Sequence, residues 1–150
     1  MMAALALAGV MMLPTATPAS PALTATSWEI GFETSAYRGD YYFPSQEGYR
    51  ECVAYREARH NYKADSFHVG TYQFTDELAH GAVWMMAKEW ASTYGKATAK
   101  AMRIKLHNIA PRKWSRAIWD QAFYTALNWE YKASGEKHWA VQRGFCSGAK

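Results

Sequence analysis

Apolar residues recur at helical spacing in four stretches of the chain, each bounded by residues that start or stop helices. The first opens at Pro44 and Ser45, with Ser45 placed to cap a helix beginning Gln46-Glu47. Tyr49, Cys52 and Val53 form its inward stripe. Arg56 falls on the same side, so the helix is near its end or Arg56 reaches outward. Glu57 lies about 40° from Val53 at ~100° per residue, at the edge of the stripe. The second helix starts at Thr75-Asp76-Glu77, a cap followed by two acids at the positive end of the dipole. It runs to about Tyr94, burying Ala79, Ala82, Val83, Met86 and Trp90, and Gly95 stops it. A third, from Lys96 to about Asn108, is expected to bury Ala97, Ala101 and Ile104. Ser115 caps the fourth, whose Ile118, Trp119, Ala122, Phe123, Ala126 and Leu127 make a wide apolar face deep in the core.

Two stretches lack that period. From Asn61 to Phe74 the apolar residues Tyr62, Phe67, Val69, Tyr72 and Phe74 alternate only roughly, as in a short hairpin or an irregular loop. Trp28 to Phe43 is aromatic and Gly-punctuated, and is expected to pack as a loop or short strand pieces. Past Ser134-Gly135, a short helical piece with Trp139 leads to Cys146. The chain reads as one mainly helical domain.

The first 27 residues carry no charge. An apolar run from Ala3 to Leu13 precedes a Pro/Thr/Ser/Ala stretch, as in a secretory signal peptide cleaved around Ala19, Ala22 or Ala25. A basic start is missing, and the run is too short to span a bilayer. The expected organisation is a signal peptide over 1–25, an aromatic segment over 26–44 and a helical domain over 45–150. Export implies an oxidising compartment, in which Cys52 and Cys146 can join; the alternative is two separate buried thiols.

Composition adds a binding surface. The 150 residues include 7 Trp, 10 Tyr and 6 Phe, more than one core of this size needs. Net charge is only +4, but Lys96, Lys100, Arg103, Lys105, Arg112, Lys113 and Arg116 follow one another with no acid between them. Such a run attracts a polyanion or is simply a solvated helix face. The five histidines show no paired metal spacing, and there is no GxSxG and no phosphate-cradling glycine loop. Neither metal nor cofactor is called for. What remains is carboxylate chemistry: an acid beside apolar neighbours stays protonated near neutral pH, which points to Glu57 as a general acid/base.

Cys52, Glu57-Ala58-Arg59-His60-Asn61-Tyr62 and Gly70-Thr71-Tyr72-Gln73-Phe74-Thr75, in that order, resemble the core of the lysozyme-like cell-wall hydrolases of actinobacteria. Within these, the resuscitation-promoting factors and lytic transglycosylases are most similar. The likeness covers Arg50 to Thr75, and more weakly Asp120-Gln121-Ala122-Phe123 and Trp139 to Cys146. Two positions depart from the family. Ala58 stands where Ser usually follows the acid, and Cys52 lies five residues before Glu57, not directly before it as in the resuscitation factors.

The resemblance implies an α+β lysozyme-like fold with a short hairpin or irregular loop beside the catalytic helix. It implies a secreted or wall-associated monomer that cleaves the β-1,4 bond between N-acetylmuramic acid and N-acetylglucosamine. Glu57 would be the catalytic acid, with His60, Tyr62, Tyr72 and Gln73 along the glycan cleft and Cys52 joined to Cys146. Glycosidases commonly use a second carboxylate, for which Asp65 is the candidate; otherwise the substrate's N-acetyl group takes its place, as in lytic transglycosylases. Partners would be peptidoglycan strands and other anionic wall polymers, with neither nucleic acid nor stable membrane insertion. The competing expectation is a wall-binding or growth-signalling module of the same fold with weak catalysis.

Overall fold

The computed structural model describes residues 34–131, 134–139 and 144–149. The expected signal segment, its cleavage sites and Trp28 to Glu33 lie outside them. Four helices carry the fold: α1 (Glu47–Ala58), α2 (Asp76–Tyr94), α3 (Lys96–His107) and α4 (Arg116–Asn128). Short 3-10 turns precede α1 and α4 and follow α4. The protein is mainly helical. Among the described residues, no helix is long and apolar enough to cross a membrane.

Local chemistry sets the boundaries of α2 and α4. The Thr75 hydroxyl accepts from the Leu78 amide and the Ser115 hydroxyl from the Ile118 amide, each satisfying a donor that the first helical turn leaves free. The Glu77 carboxylate accepts from its own backbone amide and from the Thr75 side chain, and these contacts hold it below the usual range. At α1 the expectation fails: Ser45 lies inside the 3-10 turn Pro44–Gln46, and Gln46 occupies the cap position without a side-chain bond.

The buried residues of α2 match the apolar period, namely Ala79, Ala82, Val83, Met86 and Trp90, with Glu89 beside them. Glu89 is buried because it ties the N-terminal segment to α4. Its carboxylate accepts from the Tyr37 hydroxyl at 2.8 Å, the Asp40 amide at 2.9 Å and the Gln121 amide group at 2.9 Å. The α4 helix is enclosed further than its pattern implies, with every residue from Trp119 to Asn128 buried. It is the central element.

Two faces differ from expectation. On α1 the inward residues are Tyr49, Arg50, Val53 and Ala54, which turns Arg56 out to solvent and moves Cys52 to the flank. There Cys52 forms the disulfide with Cys146, with Cα atoms 5.6 Å apart. In the chain-entropy model, closing a loop of that length stabilises by on the order of 4 kcal/mol. On α3 the residues against α2 are Ala99 and Leu106, while Ala97, Ala101 and Ile104 are exposed. The small residues of α3 offer two alternative stripes, and packing on α2 selects the one with the larger Leu106.

Candidate active site

Glu57 is half-buried in the last turn of α1, one turn beyond the core residues Val53 and Ala54. Arg50 lies two turns earlier, so Arg50, Val53/Ala54 and Glu57 share one face of the helix. The chain after Ala58 leaves the helix sharply. Arg59 and His60 both adopt left-handed backbone, with φ of 50° and 62°. Their amides bond to Tyr55 and Ala54 carbonyls at 2.9 and 3.0 Å, which closes the helix end. Neither is glycine, so each costs about 1 kcal/mol of backbone strain.

The following loop is built from its own polar groups. Asn61 bends it by accepting from the Lys63 amide at 3.0 Å. Isolated antiparallel bridges then join Asp65 to Val69 and Val69 to Phe74. For this stretch the sequence left a short hairpin or an irregular loop open; among the described residues it has only these isolated bridges, the second closing a tight hairpin turn from Gly70 to Gln73. Gly70 has φ 73°, and a Cβ there would fall 2.5 Å from the Trp119 indole. Only glycine satisfies both the backbone and that contact.

Beneath the hairpin lies a charged network that the sequence did not disclose. Asp120 on α4 is fully buried. Its Oδ1 accepts from the Tyr72 hydroxyl at 2.5 Å and the Tyr62 hydroxyl at 2.9 Å, and its Oδ2 accepts from the Ala36 amide at 2.7 Å. Arg50, only 1% exposed, donates to the Tyr72 hydroxyl at 3.1 Å and to Glu47 at 2.6 Å. Burial opposes the Arg50 charge, yet Tyr72, Glu47 and Asp120 hold its pKa above the ordinary value. Burial and then Asp120 push the Tyr62 hydroxyl up, against bonds to Tyr72 and Arg50 that pull it down. Tyr72 is pushed up too, by burial first and by Asp120, although Arg50 works the other way. Both phenols are therefore protonated donors at neutral pH. The indole of Trp139 closes the arrangement by donating to the Tyr72 carbonyl at 2.8 Å.

These contacts reassign several residues. Tyr72 has no exposed surface, so it supports the hairpin from below and does not line a cleft. Tyr62 keeps part of its ring accessible, but its hydroxyl belongs to Asp120. His60 turns back over α1, its ring 5.4 Å from Tyr55 and bonded to the Glu51 backbone, and burial lowers its pKa. Gln73 is half-buried with φ 49°, and its side-chain amide donates to the Gly70 carbonyl at 2.9 Å. Asp65 is exposed and ion-paired with Arg112 at 3.2 Å.

Phe67, in contrast, is 96% exposed in the same loop, an aromatic face the alternation did not single out. The arginines flanking Glu57 lie over other rings, Arg56 at 3.8 Å from the Phe145 centroid and Arg59 at 4.2 Å from Tyr55. Asp120 and Arg50 left one trace in the sequence, a charge at the edge of each apolar stripe. Their partners, many residues away, left none. No protein-family model, no curated protein and no solved structure matches the chain.

Proposed function

We propose that the protein is an exported muralytic glycosidase with Glu57 as general acid and base. The observation that carries this is the position of Glu57: half-buried, in the last turn of α1, on the face whose other end is locked to the hairpin tyrosines through Arg50. A catalytic carboxyl must be held against substrate to within a fraction of an ångström, and the Arg50–Tyr72–Asp120 network gives α1 and the hairpin such a common anchor. The Cys52–Cys146 disulfide and the aromatic content are compatible with an extracellular carbohydrate enzyme.

Glu57 protonates the glycosidic oxygen as the bond to the muramic acid breaks. Asp65 is engaged by Arg112 and Glu51 lies 3.7 Å from Arg50, so the acids near Glu57 in sequence have cationic partners of their own. The substrate's N-acetyl group then stabilises the developing cation. Glu57 returns as base to draw the 6-hydroxyl onto the anomeric carbon, leaving a 1,6-anhydro end. Phe67 offers a face on which a sugar can stack.

Turbidity loss of purified walls tests the assignment. Glu57→Gln should slow lysis by about 10² to 10⁴ with an unchanged melting temperature. Equal lysis by the variant and the wild type would end the catalytic role. Mass spectrometry of released fragments should show anhydro ends, and reducing ends alone would indicate hydrolysis instead.

A further inference from the structure

On the α2/α3 hairpin, Trp84, Lys88, Lys96, Lys100 and Arg103 line a trough of about 340 Å³. A smaller hollow of about 140 Å³ continues it past Arg103 and Ile104 to His107. Both share Trp84 and Arg103, so they adjoin and make a shallow, open channel along the helix pair. Among the described residues, no acid lines either hollow. Glu89, the acid nearest in sequence on α2, is turned into the core by Tyr37 and Gln121. Glu77 acts on His80, whose ring lies 4.4 Å from that of His107, so the acidic start of α2 marks the end of the channel.

Lys96, Lys100, Arg103 and His107 lie on one ridge of α3. At 1.5 Å per residue they place a basic group every ~4.5 to 6 Å over about 16 Å. Trp84 is 61% exposed, and the Arg103 guanidinium lies 3.6 Å from its ring centroid. Stacking fixes the guanidinium plane while its N–H edge remains available for paired bonds to a phosphate. A merely solvated helix face would intersperse acids and would have no need of a held arginine.

We propose that this channel docks the phosphodiester-linked anionic polymer of the cell wall, holding the enzyme on its substrate. The choice of polymer rests on the muralytic function proposed above. The basic groups follow one another along a single helix ridge, an arrangement that matches the successive phosphates of a chain. Single-stranded nucleic acid is disfavoured because its bases stack on successive aromatic side chains, and among the described lining residues Trp84 is the single Trp, Tyr or Phe.

Co-sedimentation of the full chain with purified walls, intact and after acid removal of their phosphodiester polymer, tests this. Wild type should bind intact walls in a salt-sensitive manner. Binding should fall tenfold or more on stripped walls and in the Lys96→Gln/Lys100→Gln/Arg103→Gln variant. At ~0.7 per phosphate contact, the variant should flatten the slope of log binding against log salt by roughly 2. Its cleavage of soluble glycan fragments should match the wild type, which also shows that it is folded. Undiminished binding by the variant or to stripped walls would overturn the proposal. So would equally tight binding to anionic vesicles or to a single-stranded oligonucleotide. Salt-sensitive wall binding without any cleavage would instead remove the Glu57 assignment and leave the channel standing.

Discussion

Arg50 and Arg103 carry the same charge into different surroundings, one fully enclosed and the other half-buried at the surface. Arg50 is enclosed, with Glu47, Glu51, Asp120 and two tyrosine hydroxyls around its guanidinium. Arg103 lies on the molecular surface over Trp84, in a channel lined by other cations. Removing a charge from water is tolerable only where opposite charges and hydrogen bonds replace the lost hydration. A buried cation therefore fixes geometry, because every group around it must keep its place. A half-buried cation stacked on one ring, with no acid in its described lining, keeps its N–H edge available to a partner. One region positions the proposed chemistry, and the other brings it to the wall.

The sharpest way to break this contrast is at Asp120. Asp120→Asn removes one partner of a buried cation and should destabilise by about 3 kcal/mol in urea unfolding, since Glu47 still holds Arg50. A loss under 1 kcal/mol would mean that the network does not anchor the fold. Tyr72→Phe deletes the hydroxyl between Arg50 and Asp120, and about 2 kcal/mol should go with it. Wall lysis by this variant should also weaken, because only the longer Tyr62 bond then ties this loop to Arg50 of α1.

Alkaline pH probes the same hydroxyls with a smaller effect. Tyr62 and Tyr72 titrate above their ordinary value of 10 in the fold, mainly through burial, and so do Tyr37 and Tyr124. A raised folded-state value gives stability that is complete below the unfolded pKa and disappears as pH rises through the folded one. The melting temperature should hold to about pH 9 and fall above 10, less steeply in Tyr62→Phe; equal slopes would remove Tyr62 from the linkage. On the opposite face, Lys100→Gln should change stability by no more than about 0.5 kcal/mol. A larger loss there would show that the basic ridge is part of the scaffold.

The α2 and α4 helices were legible because everything that defines them is local. Thr75 and Ser115 cap their own helices, Gly95 stops one, and a dense apolar period names the buried face. The hairpin was legible as a turn because Gly70 and the alternating aromatics are close in sequence. The α3 face was misassigned because alanines at 97, 99 and 101 give no size difference by which to choose a side. At the proposed site, Glu57's place at the edge of a helical stripe could be read from spacing. The burial of Tyr72 could not, since an aromatic between Gly and Gln points inward or outward according to what lies beneath it.

Sequence by itself determined where α2, α3 and α4 begin and where α2 and α3 end, which faces of α2 and α4 are apolar, and that the two cysteines could pair. These follow from interactions spanning four residues or from a count of two. Tertiary structure alone decided that Arg50 is a core residue, that Asp120 joins α4 to the hairpin, and that Trp84 meets the basic ridge of α3. Each of those depends on a desolvation cost that only a partner from a distant segment can offset, or on a surface formed only when two helices lie side by side.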